Sequence, residues 1–315
     1  MTDISIIVVN LNTCDLLHAC LASAYADGSP LRKEVIVIDN GSTDGSVEMV
    51  TREFPDVRLV KNTANEGFAR PNNVGMQMAM GRYLFLLNSD AALHPGALGK
   101  LLTFLDGNPG AGACGPRLVF PDGGLQRSVK GFPSLWTHVC DMLLLDRLFP
   151  RSRFFGRGEM GYFPYNRTEE VDHVMAAAFL VRREVLSTAG VFDERFSIYY
   201  NDMDWCFRIR AQGWKIYYVH DAVVTHHGGK TVAMVNRDFS YFHEMYENVM
   251  LFYHKRYGPA GVVAYKLILA AGFLMRSLAW SLRWIVQRSE YARMMMTFSW
   301  KSLATGARFW VPARG

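Results

Sequence analysis

The strongest constraint on this chain is the alternation of short β-branched runs with helix-like stretches near its N-terminus. Residues 4–9 and 35–38 are such runs, each followed by polar turn residues and then a helical pattern, at 15–25 and 45–54. Residues 57–61 lead through an Asn- and Gly-rich turn to a helix ending near Met80, and residues 83–87 form an unbroken apolar run. Strands of that kind are buried on both faces. The pattern predicts an α/β fold with a mostly parallel central sheet and helices on both faces. Ligands bind such sheets beyond the carboxyl ends of the strands, where this chain carries Asn10 and Asn12, Asp39, Asn65, and Asn88 to Asp90. Residues 121–170 lack a clean period and are expected to be loops. Strands are expected at 174–181, 216–219 and 222–225, and helices at 183–189 and 202–212.

Charge narrows the function. From Lys255 to Gly315 there are ten Lys or Arg against the single acid Glu290, a net +9. The whole chain carries +5, so residues 1–254 carry −4. The basic character therefore belongs to the tail, which excludes a nucleic-acid-binding body and points to an anionic membrane surface. The five cysteines (14, 20, 114, 140, 206) have no CxxC spacing, so neither a disulfide framework nor a zinc site is expected, and the compartment is expected to be the reducing cytosol. No basic segment followed by an apolar one opens the chain, so no secretory signal is expected.

The first strand ends in Val9-Asn-Leu-Asn-Thr13, without glycines, and no GxxxxGK[ST] loop occurs, which removes the dinucleotide fingerprint and P-loop chemistry. Side chains at strand ends can still hold a nucleotide, and Asp39 is the best placed of them. In Asp39-Asn-Gly-Ser-Thr-Asp44 the same short polar residues serve equally as a turn with Ser42 or Asp44 capping the next helix. Leu84-Phe-Leu-Leu-Asn-Ser-Asp90 ends a buried strand in a carboxylate, which fits Mg²⁺ or Mn²⁺ bridging to a diphosphate; a helix cap near His94-Pro95-Gly96 explains Asp90 as well. Asn201-Asp-Met-Asp204 opens a helix with two acids, either of which can act as a general base or merely favour the helix dipole. Of His226 and His227, strand geometry lets only one face a shared site.

Taken in order, Val9-Asn-Leu-Asn12, Asp39-Asn-Gly-Ser-Thr-Asp44, Asn65-Glu-Gly-Phe-Ala69 with Asn72-Asn73, Asn88-Ser-Asp90, Gly190-Val-Phe-Asp-Glu194, Asn201-Asp-Met-Asp204 and His226-His-Gly-Gly229 resemble glycosyltransferase family 2. The resemblance is to the rhamnosyltransferase-like branch that builds bacterial cell-surface polysaccharides, and it covers residues 4–258. It implies a GT-A nucleotide-diphospho-sugar transferase fold in residues 1–258, with a nucleotide-sugar half (1–120) and an acceptor or catalytic half (121–258), followed by an amphipathic helical tail (259–315). It implies an inverting, metal-dependent transferase using Mn²⁺ or Mg²⁺. Asp39 would contact the base, Asp90 and His226 the metal, and Asn10, Asn12, Asn65, Asn73 and Asn88 would lie near the donor. Asp202 would be the general base, with Asp204 as the alternative.

The implied donor is a dTDP- or UDP-sugar, with L-rhamnose the first candidate. The acceptor is a glycan or glycolipid, met at the inner face of the cell membrane, and homo-oligomerisation is left open. Three departures stand out: Leu11 replaces a frequent aromatic, Asn88 replaces the first acid of the DxD motif, and Asn201 replaces an acid before Asp202. They motivate the rival reading, a catalytically silent nucleotide-sugar-binding or scaffold subunit.

Overall fold

The computed structural model describes residues 2–196, 199–228 and 240–306. The chain divides into two compact units, Met1–Lys130 with Pro164–Tyr241, and Gly131–Phe163 with Phe242–Gly315.

The first unit begins with β1 (Ile4–Asn10), α1 (Cys14–Ala26), β2 (Lys33–Asp39), α2 (Ser46–Glu53), β3 (Arg58–Lys61), α3 (Ala69–Met78) and β4 (Tyr83–Asn88). Next come β5 (Ala91–Leu93), α4 (Ala97–Gly107), β6 (Ala111–Val119), β7 (Leu125–Gln126) and β8 (Val129–Lys130). The chain then leaves for α5 (Leu135–Met142) and α6 (Leu145–Leu148). It returns through β9 (Glu169–Val171), β10 (His173–Val174), β11 (Ala178–Arg182), α7 (Arg183–Ala189), α8 (Asn201–Ala211) and β12 (Lys215–His226).

The main sheet runs β3-β2-β1-β4-β11-β6-β12-β5. Its β3-β2-β1-β4 part is parallel, as is β6 with β12, while β11 lies antiparallel between β4 and β6. Alternate side chains of these strands bury on opposite faces. Ile6, Val8, Val37 and Phe85 join one core with Leu17 and Leu21 of α1, Val50 of α2 and Leu101 and Leu105 of α4. Ile7 turns to the other face, where α3 comes so close that a Cβ on Gly75 would lie 2.4 Å from Ile7 Cγ2. Trp205 of α8 stacks against Phe179 at 5.4 Å and Phe192 at 4.8 Å. Each fully buried side chain of this size contributes roughly 1.5–3 kcal/mol.

Three expectations are corrected. Residues 121–170, expected to be loops, carry β7, β8, α5, α6 and the start of β9, elements too short to leave a clear period in the sequence. Residues 174–181 are two strands with a break at 175–177, where the chain passes from pairing with β8 to pairing with β4 and Ala176 N–H donates to the Asp202 side chain instead of to a neighbouring strand. Conversely, 216–219 and 222–225 belong to one strand, β12, with a register shift between Val219 and Val223.

The second unit holds α5, α6, α9 (Ser240–Gln287) and α10 (Glu290–Gly306). Ser134 opens α5 with a capping box to Thr137. Within α9, Gly258 adopts φ 64° and is followed by Pro259, so the helix is broken there. The His138 ring lies 5.5 Å from that of Tyr253 and 4.7 Å from that of Tyr265, and the two tyrosines stack at 5.1 Å. Arg288 at φ 49° turns the chain, and α10 folds back so that Trp300 Nε1 reaches Ser281 Oγ at 3.2 Å. The tail is thus a helical hairpin. Packing groups 131–163 and the residues from 242 onward with the tail, whereas the sequence placed a boundary at 258/259; the aromatic contacts to His138 are the reason. Residues 307–315 of the tail and Gly229 of the histidine motif lie outside the described residues.

Candidate active site

The register of the parallel strands assembles the first part of the site. Asn10 stands level with Asp39, and Val9 with Asn88, so the polar ends of β1, β2 and β4 are neighbours. Asn10 Nδ2 donates to Asp39 Oδ2 at 2.9 Å, and its Oδ1 accepts from Thr13 Oγ1 at 2.6 Å. Asp39 Oδ1 accepts from the backbone N–H of Gly41 and Ser42 at 3.2 and 2.8 Å. These bonds fix the carboxylate and leave acceptor capacity on Oδ2, since each oxygen can accept twice. Asn12 Oδ1 accepts from Thr43 N–H at 2.8 Å, closing the two strand-end loops onto each other. Asp44 receives the N–H of Cys14 and Ser46, while the α2 N-cap position is Gly45, so Asp44 braces two helix starts.

Beyond β4, Asp90 is followed by β5, and the α4 N-cap position is Gly96, so Asp90 caps no helix. β5 pairs with β12 in a register that sets Ala91 against His226, and His227 N–H donates to Asp90 C=O at 3.0 Å. His226 is therefore the histidine that faces Asp90, with Nε2 3.2 Å from Asp90 Oδ1 and both side chains 6% exposed. Asn88 Nδ2 is 3.3 Å from the same Nε2. On the other side of the ring, Nδ1 lies 2.8 Å from Gln126 Oε1, which fixes the hydrogen on Nδ1 and leaves Nε2 with its lone pair.

The geometry of this pair suits a divalent cation. Adjacent ligands of an octahedral ion with bonds of ~2.1 Å stand about 3 Å apart, which the Asp90–His226 separation matches. The donor set, one carboxylate oxygen and one imidazole nitrogen with an orienting amide behind it, fits such an ion. Among the described residues no group of three or more His, Cys, Asp or Glu is placed to hold a metal, so the protein offers two ligands and the diphosphate and water would supply the others.

The 175–177 break joins this region to the acidic helix. Asn88 N–H donates to Ala177 C=O at 2.9 Å, and one residue earlier Ala176 N–H donates to Asp202 Oδ2 at 3.1 Å. His173, itself buried, places Nε2 3.2 Å from the same Oδ2, at ion-pair distance but outside hydrogen-bond geometry. Burial alone would raise the Asp202 pKa; attraction to His173 and the N–H groups of Ala176 and Met203 outweigh it and hold the carboxyl below its usual range. Asp204 differs. Its side chain is 3% exposed and bound by Arg208 Nε at 2.8 Å, while Arg208 also bonds the carbonyls of Ala189 and Val191. It is an internal ion pair and not an open carboxylate.

Two further asparagines expected near the donor are committed to scaffolding. Asn73 clamps Phe192 through both its N–H and its C=O, at 3.0 Å each, and reaches Glu194. Asn65 Oδ1 accepts from Asn40 Nδ2 and Gly67 N–H at 2.9 Å each. The structure adds Gln126 and His173, which the sequence reading did not single out. Neither sits in a periodic or motif-like context, but the spacing Asp204-x-x-x-Arg208 was a visible sign of the helical ion pair.

The family model described as glycosyl transferase family 2 matches residues 5–188. The chain is 31% identical over 241 residues to the N-acetylglucosaminyl-diphospho-decaprenol L-rhamnosyltransferase of Mycobacterium tuberculosis strain H37Rv, covering 72% of this chain and 77% of that one. It is 31% identical over 229 residues to the O-antigen biosynthesis protein RfbC of Myxococcus xanthus, covering 71% of this chain but only 17% of RfbC. Among solved structures, GalNAc-T7 with UDP, GalNAc and Mn²⁺ superposes with a TM-score of 0.55 at 14% identity, covering 72% of this chain and 43% of that one. The Pyrobaculum calidifontis mannosyltransferase PcManGT with GDP-Man and Mn²⁺ gives 0.54 at 17% identity, covering 98% of this chain and 88% of that one. At these identities the likeness establishes the GT-A fold.

Proposed function

The chain belongs to glycosyl transferase family 2 and is a glycosyltransferase, and from that premise we propose that it transfers a sugar, with inversion, from a nucleotide-diphosphate donor to a lipid-linked acceptor in cell-surface glycan synthesis. The observation that carries this reading is the 175–177 break, which ties the Asp202 carboxylate to the strand end bearing Asn88 and Asp90. The named relative acts on a decaprenol-linked N-acetylglucosamine, which supports a polyprenyl-linked acceptor and L-rhamnose as the sugar.

In this mechanism Asp39 reads the base, held in place by Asn10 and the Gly41 and Ser42 N–H groups. Asp90 and His226 would hold Mn²⁺ or Mg²⁺, with Gln126 orienting the imidazole. The ion, when bound, neutralises charge developing on the departing diphosphate. Asp202 accepts the proton of the acceptor hydroxyl as its oxygen attacks the anomeric carbon and the bond to the diphosphate oxygen breaks. Its depressed pKa keeps it ionised at neutral pH, the form a base needs. Residues 1–120 form the donor side and the remainder of the catalytic domain the acceptor side, with the basic tail at the inner face of the membrane.

The test is Asp202→Asn. Donor affinity is expected to hold while turnover falls by ~10²–10⁴-fold, the range for a lost general base. Near-normal turnover in Asp202→Asn, with Asp204→Asn crippled, would move the role to Asp204.

A further inference from the structure

We propose that residues 143–157 form a surface that docks on an anionic lipid bilayer, with this loop seated in the headgroup layer. This rests on the reading of a lipid-linked acceptor for its purpose, but its evidence is separate.

Residues 143–157 carry large apolar side chains outward. Leu148 is 67% and Phe154 61% exposed, with Leu143, Leu144 and Phe149 also exposed. The display is ordered: Trp136 packs on Phe154 with ring centroids 4.7 Å apart and donates from Nε1 to its C=O at 2.9 Å, and Phe155 packs against Phe149 and Phe154 at 5.3 and 5.1 Å. Interleaved with them are the exposed Arg147, Arg151, Arg153 and Arg157 against the single acid Asp146, a net +3 in fifteen residues. Aromatic and aliphatic side chains mixed with cations are what an anionic membrane interface selects.

α9 repeats the arrangement on the same unit. At 100° per residue Val263, Leu267, Leu274, Leu278, Leu282 and Ile285 fall within an arc of about 100°, and all six are exposed, Leu267 to 66% and Leu282 to 65%. Tyr265, Leu269 and Phe273 on the other side are buried, and Arg276 there donates to Asp141 C=O at 2.9 Å. A helix of a water-soluble protein turns its apolar stripe inward; this one also turns a stripe outward. The helix is long and apolar enough to cross a membrane by length and composition. Its opposite face, however, is covered by α5, with Met142 packed on Gly272, which favours lying in the interface. Met142 leads directly into Leu143, so the loop is carried by a helix anchored on the buried face of α9.

A second copy of this chain is the rival occupant. A two-fold contact through residues 143–157 would bring the four arginines of one copy against those of the other, whereas anionic headgroups neutralise them.

The experiment is co-sedimentation of the full-length protein with phosphatidylcholine vesicles, with and without phosphatidylglycerol, at low and high salt. Each arginine near a charged surface contributes about 1 kcal/mol, so Arg147→Gln with Arg151→Gln and Arg153→Gln should lower partitioning to the anionic vesicles by about a hundredfold and flatten its salt dependence. Leu148→Ser with Phe149→Ser and Phe154→Ser should lower partitioning to both vesicle types. Thermal melts matching the parent establish that both variants fold. Parental partitioning by both folded variants overturns the proposal, as does a parental dimer that the Ser variant abolishes without a change in partitioning. The assay contains neither donor nor acceptor, so its failure is distinct from failure of the sugar-transfer reading, which Asp202→Asn tests.

Discussion

Asp90 and His226 face each other at 3.2 Å with both side chains 6% exposed, a buried donor pair at the spacing that adjacent ligands of a divalent cation take. With Asn88 already neutral, Asp90→Asn removes the one acid at this strand end, and Mn²⁺-dependent donor binding, read by calorimetry with and without the ion, is expected to disappear. An unchanged metal requirement would refute the assignment. Asp202 is governed by His173. His173→Gln removes the imidazole whose attraction helps hold the Asp202 carboxyl down, so the carboxyl pKa should rise. The base form is lost as pH falls through that pKa, and the acidic limb of the kcat profile is expected to move to higher pH with KM for the donor unchanged. Cys206, whose thiol is pushed far up by burial, stays neutral and does not contribute a second limb. A profile identical to the parent's would reduce His173 to packing. The chain's own order of residues made Asp39, Asp90, Asp202 and His226 legible, because each follows a strand or opens a helix. His173 and Gln126 were not, since their partners lie 29 and 100 residues away in sequence and only the folded sheet brings them together.

Elements were readable where a period ran unbroken. β1, β2 and β4 are buried on both faces and read as continuous apolar runs, and their parallel pairing followed from the helices between them. The pattern failed where one backbone N–H leaves the ladder for a side chain, as at Ala176, or where a bulge keeps a strand going, as in β12. Neither event alters residue composition, so composition could not report it. The turn before β4 offers a check on how tightly these elements meet. A Cβ on Gly81 would lie 2.5 Å from Ser5 N and 2.7 Å from Ile4 C, both backbone atoms of β1, and Gly81 N–H already donates to Ser5 Oγ at 2.7 Å. Neither neighbour can swing away. Gly81→Ala is expected to destabilise the first unit by ~1–3 kcal/mol, as overpacking does, seen as a melting temperature lowered by several degrees. An unchanged melt would mean that β1 and the turn before β4 are not as closely seated as described.

At the scale of the molecule, charge and packing divide the chain at different places. The charge boundary falls near residue 255, with −4 before it and +9 after, close to residue 258, where the family resemblance ends and the tail was expected to begin. Packing instead assigns 131–163 to the same unit as the tail, because α5 packs on α9. His138 sits against Tyr253 and Tyr265, Met142 against Gly272, and Asp141 C=O takes the Arg276 guanidinium. Burial drives the His138 pKa down to about 4, so it is a neutral core ring at physiological pH and cannot hold α5 by charge. Ending the chain after Gly258 therefore removes more than a membrane-facing helix: it strips Tyr265, Gly272 and Arg276 from α5 and exposes the ring of His138. The truncated protein is expected to be cut by trypsin at Arg147, Arg151, Arg153 and Arg157 much faster than the full chain, since cleavage tracks the population of the opened segment, while fragments of the β1–β4 region, which makes none of these contacts, stay resistant. If truncation leaves the rate and sites of cleavage in 131–163 as they are in the full chain, α5 is held by something other than the tail, and the division of the molecule into these two units would have to be redrawn.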